Sequence, residues 1–408
     1  MNVLEVAKLA KKTTHDLLAI TEDQRMRALR LIASELRSHA GSILDANKID
    51  LKLAVENKLS PAMIDRLTLS EKAIEALAAM CLSVGHQPAV VGEITDLVTR
   101  SNGLTIQKQR IPIGVLAMIF ESRPNVLVDA AALAIKSGNA IILKGGKEAY
   151  HSNRCLFNVI NNAIKDIMPL GCLALLETRD DVGELLKLNQ YIDLVVPRGG
   201  SALVEYVKKN ATMPVVAHDK GLCHLYVHFD AEVDKVIPII LNAKNQRPGV
   251  CNALESLILH EKYPHNEEIL MALTNSGVEV RGCHMAQALS KKVKLATEED
   301  YQTEYLDKII SVKIVKDEDE AIGRIQTYSS HHTEAILAQD TKTIELFLNS
   351  LDASCIVVNA STRFNDGGEL GLGAELGIST SKLHAYGPMG AREMTTTRFL
   401  IKGSGQIR

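Results

Sequence analysis

Apolar positions in the first 90 residues recur at three- and four-residue spacing, over 3–18, 26–36 and 43–58, which predicts amphipathic helices. Thr21 followed by Gln24 has the pattern of a capping box. Leu59-Ser60-Pro61 is a break with proline at a first helical position. Near residue 94 the period changes to two. Residues 94–100 and 104–110 alternate on either side of Ser101-Asn102-Gly103, which predicts a β-hairpin. A lone hairpin is marginal in water, so it needs a partner in this chain or in another subunit.

Residues 111–220 read as alternating strands and helices. The expected strands are 114–120, 140–144, 173–177 and 194–196; the expected helices are 126–136, 152–165 and one from Asp181. Residues 221–360 repeat the style, with strands at 225–227, 257–259, 308–315 and 355–359 and helices at 232–241 and 317–325. Alternation of this kind implies α/β architecture with doubly wound parallel sheets, whose ligands bind at the carboxyl ends of the strands. The tail is glycine-dense over 365–377, then rich in β-formers over 395–401.

Composition narrows the function classes. A chain of 408 residues holds two or three domains and can bury a large core without disulfides. A net charge of −3 and the absence of Trp argue against nucleic acid and against a membrane surface. The seven cysteines are widely spaced with no Cys-x-x-Cys pair, the pattern of a reduced, cytoplasmic protein. No signal peptide is expected at the N-terminus, and no apolar run is long enough to span a bilayer.

The chemistry centres on Asn245-Gln246-Arg247-Pro248-Gly249-Val250-Cys251-Asn252-Ala253-Leu254-Glu255. A Pro-Gly turn delivers one cysteine beside an arginine, and positive charge and backbone N–H groups favour a thiolate nucleophile. The alternative is a buried structural cysteine. Two glycine pairs follow strands, in Lys144-Gly145-Gly146-Lys147 and in Pro197-Arg198-Gly199-Gly200-Ser201. Such turns let a phosphate approach backbone N–H groups at a helix start, or they are ordinary turns with solvated charges. After a third strand, Arg123 is placed to meet an anion and Asn125 to donate to an oxyanion; a plain helix N-terminal turn explains the same residues. His224, beside the strand 225–227, is a substrate-side group or a satisfied core histidine. Cys223-His224 and His331-His332 lack further ligands at metal spacing, so no metal is expected.

These strings, with Thr303-Glu304-Tyr305-Leu306, Asn359-Ala360-Ser361-Thr362-Arg363-Phe364, Gly371-Leu372-Gly373-Ala374-Glu375-Leu376-Gly377 and Gly387-Pro388-Met389-Gly390, run in the order found in one family. The chain resembles the gamma-glutamyl phosphate reductases (glutamate-5-semialdehyde dehydrogenases) of the aldehyde dehydrogenase superfamily. The resemblance implies an aldehyde dehydrogenase-like α/β fold with two Rossmann-like domains plus a small β oligomerisation element. Residues 1–90 with 111–218 would form a nucleotide-binding domain and 219–385 a catalytic domain. Residues 91–110 with 394–408 would form the oligomerisation hairpin and C-terminal strand. It implies NADPH as reductant, L-glutamyl 5-phosphate as substrate and a place in proline biosynthesis. Cys251 would be the nucleophile, aided by Arg123 and Asn125. Lys144, Gly145 and Gly146 would lie on the adenosine side of the cofactor, Pro197, Arg198, Gly199 and Gly200 by its pyrophosphate, and Glu304 by the nicotinamide ribose. Arg123, His224 and Arg363 would bind substrate. A homodimer or homotetramer is implied, and a glutamate kinase is a candidate partner because an acyl phosphate is unstable.

One departure stands out. Aldehyde-oxidising relatives carry a glutamate ahead of a glycine pair to activate water, whereas this chain has His218-Asp219-Lys220-Gly221. A reductase should avoid such a base, since hydrolysis would waste the activated acyl group. The remaining readings are a CoA-acylating or hydrolytic relative, and a nucleotide-binding scaffold without catalysis.

Overall fold

The structure, a computed structural model, describes residues 2–177, 180–217 and 220–408. The chain divides into two compact units. One comprises Met1–Ala217, Gly371–Gly377 and Leu383–Arg408, and the other His218–Leu370 with Ile378–Lys382. Residues 371–377 and 383–385, expected within the second domain, thus group with the first unit.

The first unit opens with helices α1 (Val3–Leu17), α2 (Glu22–Ser38), α3 (Ala40–Glu56), α4 (Pro61–Leu67) and α5 (Glu71–His86). The capping box at the start of α2 is present, Thr21 accepting from the Gln24 N–H while the Gln24 side chain reaches back to the Thr21 N–H. Pro61 occupies the first turn of α4, where its missing N–H costs no intrahelical bond. The hairpin follows as β1 (Ile94–Thr99) and β2 (Thr105–Pro112), antiparallel, and the C-terminal strand Thr395–Lys402 pairs with the other edge of β2. The marginal hairpin is thereby completed within the chain.

Next come β3 (Val115–Phe120), α6 (Asn125–Ser137), β4 (Ala140–Lys144), α7 (Tyr150–Ile164), β5 (Leu173–Leu176), α8 (Asp180–Leu185), β6 (Leu194–Arg198) and α9 (Ser201–Asn210). The four strands form a parallel sheet in the order β5-β4-β3-β6. All six residues of β3 are buried, as a strand covered on both faces requires. The register leaves the carboxyl ends level, with Ile119 opposite Lys144 on one side and Pro197 on the other. The order reverses at β3, which places a switch-point crevice between the segments after β3 and β6. Helix α9 had no clear signal, because it buries only Val204 and Val207.

The second unit contains β7 (Cys223–Val227), α10 (Val233–Asn245), β8 (Leu254–His260), α11 (Asn266–Asn275), β9 (Glu279–Gly282), α12 (His284–Leu289) and β10 (Lys294–Leu295). It continues with β11 (Ile309–Val315), α13 (Glu318–Tyr328), β12 (Thr333–Leu337), α14 (Thr341–Ser350) and β13 (Cys355–Val358). Seven parallel strands lie in the order β10-β9-β11-β8-β7-β12-β13. Successive residues pack into separate cores on the two faces: Leu225, Leu257 and Ala335 on one, Tyr226, Ile258 and Ile336 on the other. Two of the boundaries that differ from expectation bear on the site. Helix α10 runs through Pro238 to Asn245, and β8 begins at Leu254, so Lys244 and Glu255 both enter the core. Among the described residues no helix is long and apolar enough to cross a membrane.

Candidate active site

In the second unit, α10 and β8 present Cys251 on the loop between them. The loop is fastened from within. The Asn252 amide donates to the Asn365 carbonyl (2.9 Å), and the Thr362 hydroxyl donates to the Asn252 carbonyl (2.8 Å). These bonds bring the turn Thr362–Phe364 to the cysteine loop. Arg363 Nε donates to Gln246 Oε1 (3.0 Å), and its guanidinium stands within electrostatic reach of Arg247 and Cys251. Burial pushes the pKa of Arg363 down, partly offset by Asp366.

On the other side lies Gly221. A Cβ on Gly221 would stand 2.6 Å from the Cα of Cys251 and would strike its carbonyl oxygen, so only glycine permits this approach. The N–H of Gly221 donates to Glu304 (2.9 Å). Burial raises the pKa of the Glu304 carboxyl, opposed by that N–H and by His332 and Lys220. The Cys223 thiol donates to the Cys251 carbonyl (3.1 Å) and burial pushes its pKa far up, so it remains a thiol. A cleft of about 440 Å³ flanks this corner, lined by Lys220, Leu222, Gln302, Tyr328, Ser330 and His331. Cys251, Arg363 and Glu304 are therefore assembled in one place.

His224 is not exposed there. It is the second residue of β7, 1% exposed, and its Nδ1 meets Glu334 at 2.9 Å. His218 and Asp219, the stretch compared with the water-activating glutamate, lie outside the described residues.

In the first unit, the glycine turns stand at the carboxyl ends of β4 and β6. Lys144 ends β4 buried, its ammonium donating to the Gly145 carbonyl (2.6 Å). Burial lowers its pKa, while the carboxylates of Asp181 and Glu148 pull it back up. After Gly146, Glu148 Oε1 accepts from the Ser122 N–H (2.6 Å) and hydroxyl (2.7 Å). Pro197 and Arg198 end β6, and Arg198 faces Glu375 at 3.8 Å. Gly199 and Gly200 lead into α9. The Gly200 N–H donates to Glu121 Oε2 (2.9 Å), and a Cβ on Gly199 would stand 2.7 Å from Leu203 and collide with that carboxylate. Glu121 thus occupies the anion position expected for a phosphate. Arg123 and Pro124 lead into α6, whose first residue, Asn125, donates to Asp129 Oδ2 (3.1 Å). Burial pushes the Asp129 carboxyl up to about 7.

The turns after level strand ends, with backbone N–H groups at a helix start and a lysine beside them, fit a dinucleotide. A metal fits less well. Among the described residues His228, His260 and Glu318 place ligand atoms within 4.8 Å of one another. However, His260 Nδ1 accepts the Lys262 N–H (3.0 Å), which leaves the ring proton on Nε2, where a metal would need a lone pair.

Glu121, Lys144's neighbour Glu148, Gly221 and the pair Lys244–Glu255 were not assigned roles from sequence. Only the spacing of Glu255, four residues after Cys251, could have drawn attention to it.

Residues 1–281 match the model of the aldehyde dehydrogenase family. The chain is 47% identical over 411 residues to a gamma-glutamyl phosphate reductase of Carboxydothermus hydrogenoformans, covering 100% of this chain and 99% of the relative. Its fold superposes on the crystal structure of the gamma-glutamyl phosphate reductase of Thermotoga maritima with a TM-score of 0.95, at 42% identity and full coverage of both chains. An acetylating aldehyde dehydrogenase of Geobacillus thermoglucosidasius shares the fold at a TM-score of 0.74 and 18% identity, covering 100% of this chain and 97% of that one. The chain belongs to the aldehyde dehydrogenase family, which works with nicotinamide nucleotides, and within it to the gamma-glutamyl phosphate reductases.

Proposed function

We propose that this enzyme reduces L-glutamyl 5-phosphate to L-glutamate 5-semialdehyde, releasing phosphate, with NADPH as reductant, in the proline biosynthesis of the cytoplasm. The observation that carries the proposal is the grouping of Cys251, Arg363 and the Glu304–Gly221 bond around one loop in a chain 47% identical to a reductase of that name.

The chemistry follows from these residues. The Cys251 thiolate attacks the acyl carbon, the carbon–oxygen bond to phosphate breaks, and phosphate leaves with the electron pair, forming a thioester. Arg363 and Arg123 meet the anionic groups of the substrate, and Asn125 is assigned the oxyanion. Reduced nicotinamide, when bound, supplies the hydride. Once the acyl carbon is reduced, the thiohemiacetal collapses, the carbon–sulfur bond breaks, and Cys251 is restored. Glu304 is assigned to the nicotinamide ribose, Lys144 with Gly145 and Gly146 to the adenosine side, and the turn Pro197, Arg198, Gly199 and Gly200 to the pyrophosphate. His224, buried on Glu334, acts in this reading behind the substrate's direct contacts.

The first unit is read as nucleotide-binding and the second as catalytic. The β1–β2 hairpin with the C-terminal strand is read as the oligomerisation element of a homodimer or homotetramer. Supporting this, Leu97, Phe399 and Ile401 on its strands are exposed apolar residues. A glutamate kinase remains the proposed partner upstream. Cys251→Ala tests the mechanism: turnover should vanish while NADPH still binds, and retained turnover would remove the thioester from the account.

A further inference from the structure

Lys244 and Glu255 are both 0% exposed, and their side chains meet at 2.9 Å. Lys244 lies in the last turn of α10 and Glu255 is the second residue of β8, so the pair closes the neck of the loop that carries Cys251. The second carboxylate oxygen of Glu255 accepts the N–H of Leu306 (3.2 Å). Leu306 has a left-handed backbone (φ 53°), a conformation that a leucine keeps only when its surroundings impose it. The residue before it is held as well, the Tyr305 hydroxyl donating to Asp300 (2.9 Å). Glu304 sits directly before this pinned turn and holds the Gly221 N–H, and Gly221 lies on the backbone of Cys251.

Stability does not account for the pair. Two charges taken out of water cost several kcal/mol each, and an apolar pair of similar volume is commonly as stable or more so. Burial raises the Glu255 carboxyl and lowers the Lys244 ammonium, each opposed by the partner's charge. What the ion pair supplies, and an apolar pair cannot, is directional bonding to three separate segments: α10, β8 and the turn after Glu304.

We propose that Lys244–Glu255 is a positioning pair for the active site, setting the loop of Cys251 by its own bond and the carboxylate of Glu304 through the Leu306 N–H. The inference rests on the assignment of Glu304 to the nicotinamide ribose and of Cys251 as nucleophile.

Two variants separate the two effects. K244M/E255L removes both charges and the acceptor for Leu306. E255Q keeps an acceptor for Leu306 and loses the charge that closes the neck. Titration of NADPH fluorescence reads Glu304, and the iodoacetamide alkylation rate of the Cys251 peptide reads the loop. The expected result for K244M/E255L is a folded protein with NADPH affinity weakened about tenfold, the loss of one charge-assisted hydrogen bond, together with an alkylation rate changed about tenfold. E255Q should bind NADPH within about twofold of the unsubstituted protein while its alkylation rate changes. Both quantities remaining within about twofold in folded K244M/E255L would overturn the inference. Should that variant not fold, an unchanged alkylation rate in E255Q overturns it. Failure of the unsubstituted protein to bind NADPH counts against the functional assignment instead, and the alkylation arm still decides the role of the pair.

Discussion

Gly221 rests on the backbone of Cys251, where a Cβ on the glycine would stand 2.6 Å from the cysteine Cα, and the N–H of the same glycine donates to Glu304. A methyl group there must displace either Cys251 or the Glu304 carboxylate. Gly221→Ala is expected to lower kcat on the order of 10²-fold through misplacement. Overpacking should destabilise the fold by about 1–3 kcal/mol. Steady-state kinetics beside a urea unfolding curve checks both, and unchanged kcat would mean that the Cys251 loop yields freely.

Arg363 reaches the cysteine loop through Gln246 and is near Cys251 in the electrostatic sense. Arg363→Gln should raise KM for the acyl substrate by about 10- to 100-fold, the worth of a charged hydrogen bond. Arg363→Lys should recover only part of this, since an ammonium lacks the planar fork. Equal KM values in all three proteins would remove Arg363 from substrate binding.

Glu121 lies where the α9 N-terminus would otherwise meet a phosphate, accepting the Gly200 N–H at 2.9 Å. With the turn 197–200 assigned to the pyrophosphate, as proposed, this carboxylate would compete with it for that donor. Glu121→Ala should therefore tighten NADPH binding, by up to about tenfold at low salt and less at high salt. Weaker binding in the variant would show that Glu121 supports the cofactor.

The Asp129 carboxyl is pushed by burial up to about 7 from an ordinary 3.8. The folded protein therefore holds this proton more tightly than the unfolded chain. The associated stability is full below about pH 4, declines as pH rises through the interval, and is lost above about pH 7. Asp129→Asn removes the titration, so its unfolding midpoint should gain on that of the unsubstituted protein between pH 5 and 8. Parallel midpoints across that range would contradict the raised pKa.

Much of this was legible in the residues themselves. The capping box at Thr21, the proline at α4, the Asn-Gly hairpin and the buried strands β3 and β4 each carry a local signal that tertiary packing does not override. Cys251 was visible because a turn, an arginine and amide side chains cluster around it. Helix α9 was not, because only two of its residues are buried, and α10 ran past its expected end because the chain tolerates Pro238 inside a helix. The long-range members of the site left no local mark. Gly221 precedes Cys251 by thirty positions and Glu304 follows it by more than fifty, and only the order of strands in the second sheet unites them. Lys244 and Glu255 carry no local mark of pairing in the sequence, and only the fold buries them together.

The central claim is acyl-phosphate chemistry at Cys251, and the reverse reaction tests it most directly. Glutamate 5-semialdehyde, in equilibrium with its cyclic imine, would be supplied with NADP and inorganic phosphate, and reduction of NADP followed by absorbance. Reduction that requires phosphate, needs no CoA and disappears in Cys251→Ala is the predicted result. Reduction that proceeds without phosphate, or only with CoA, would contradict it.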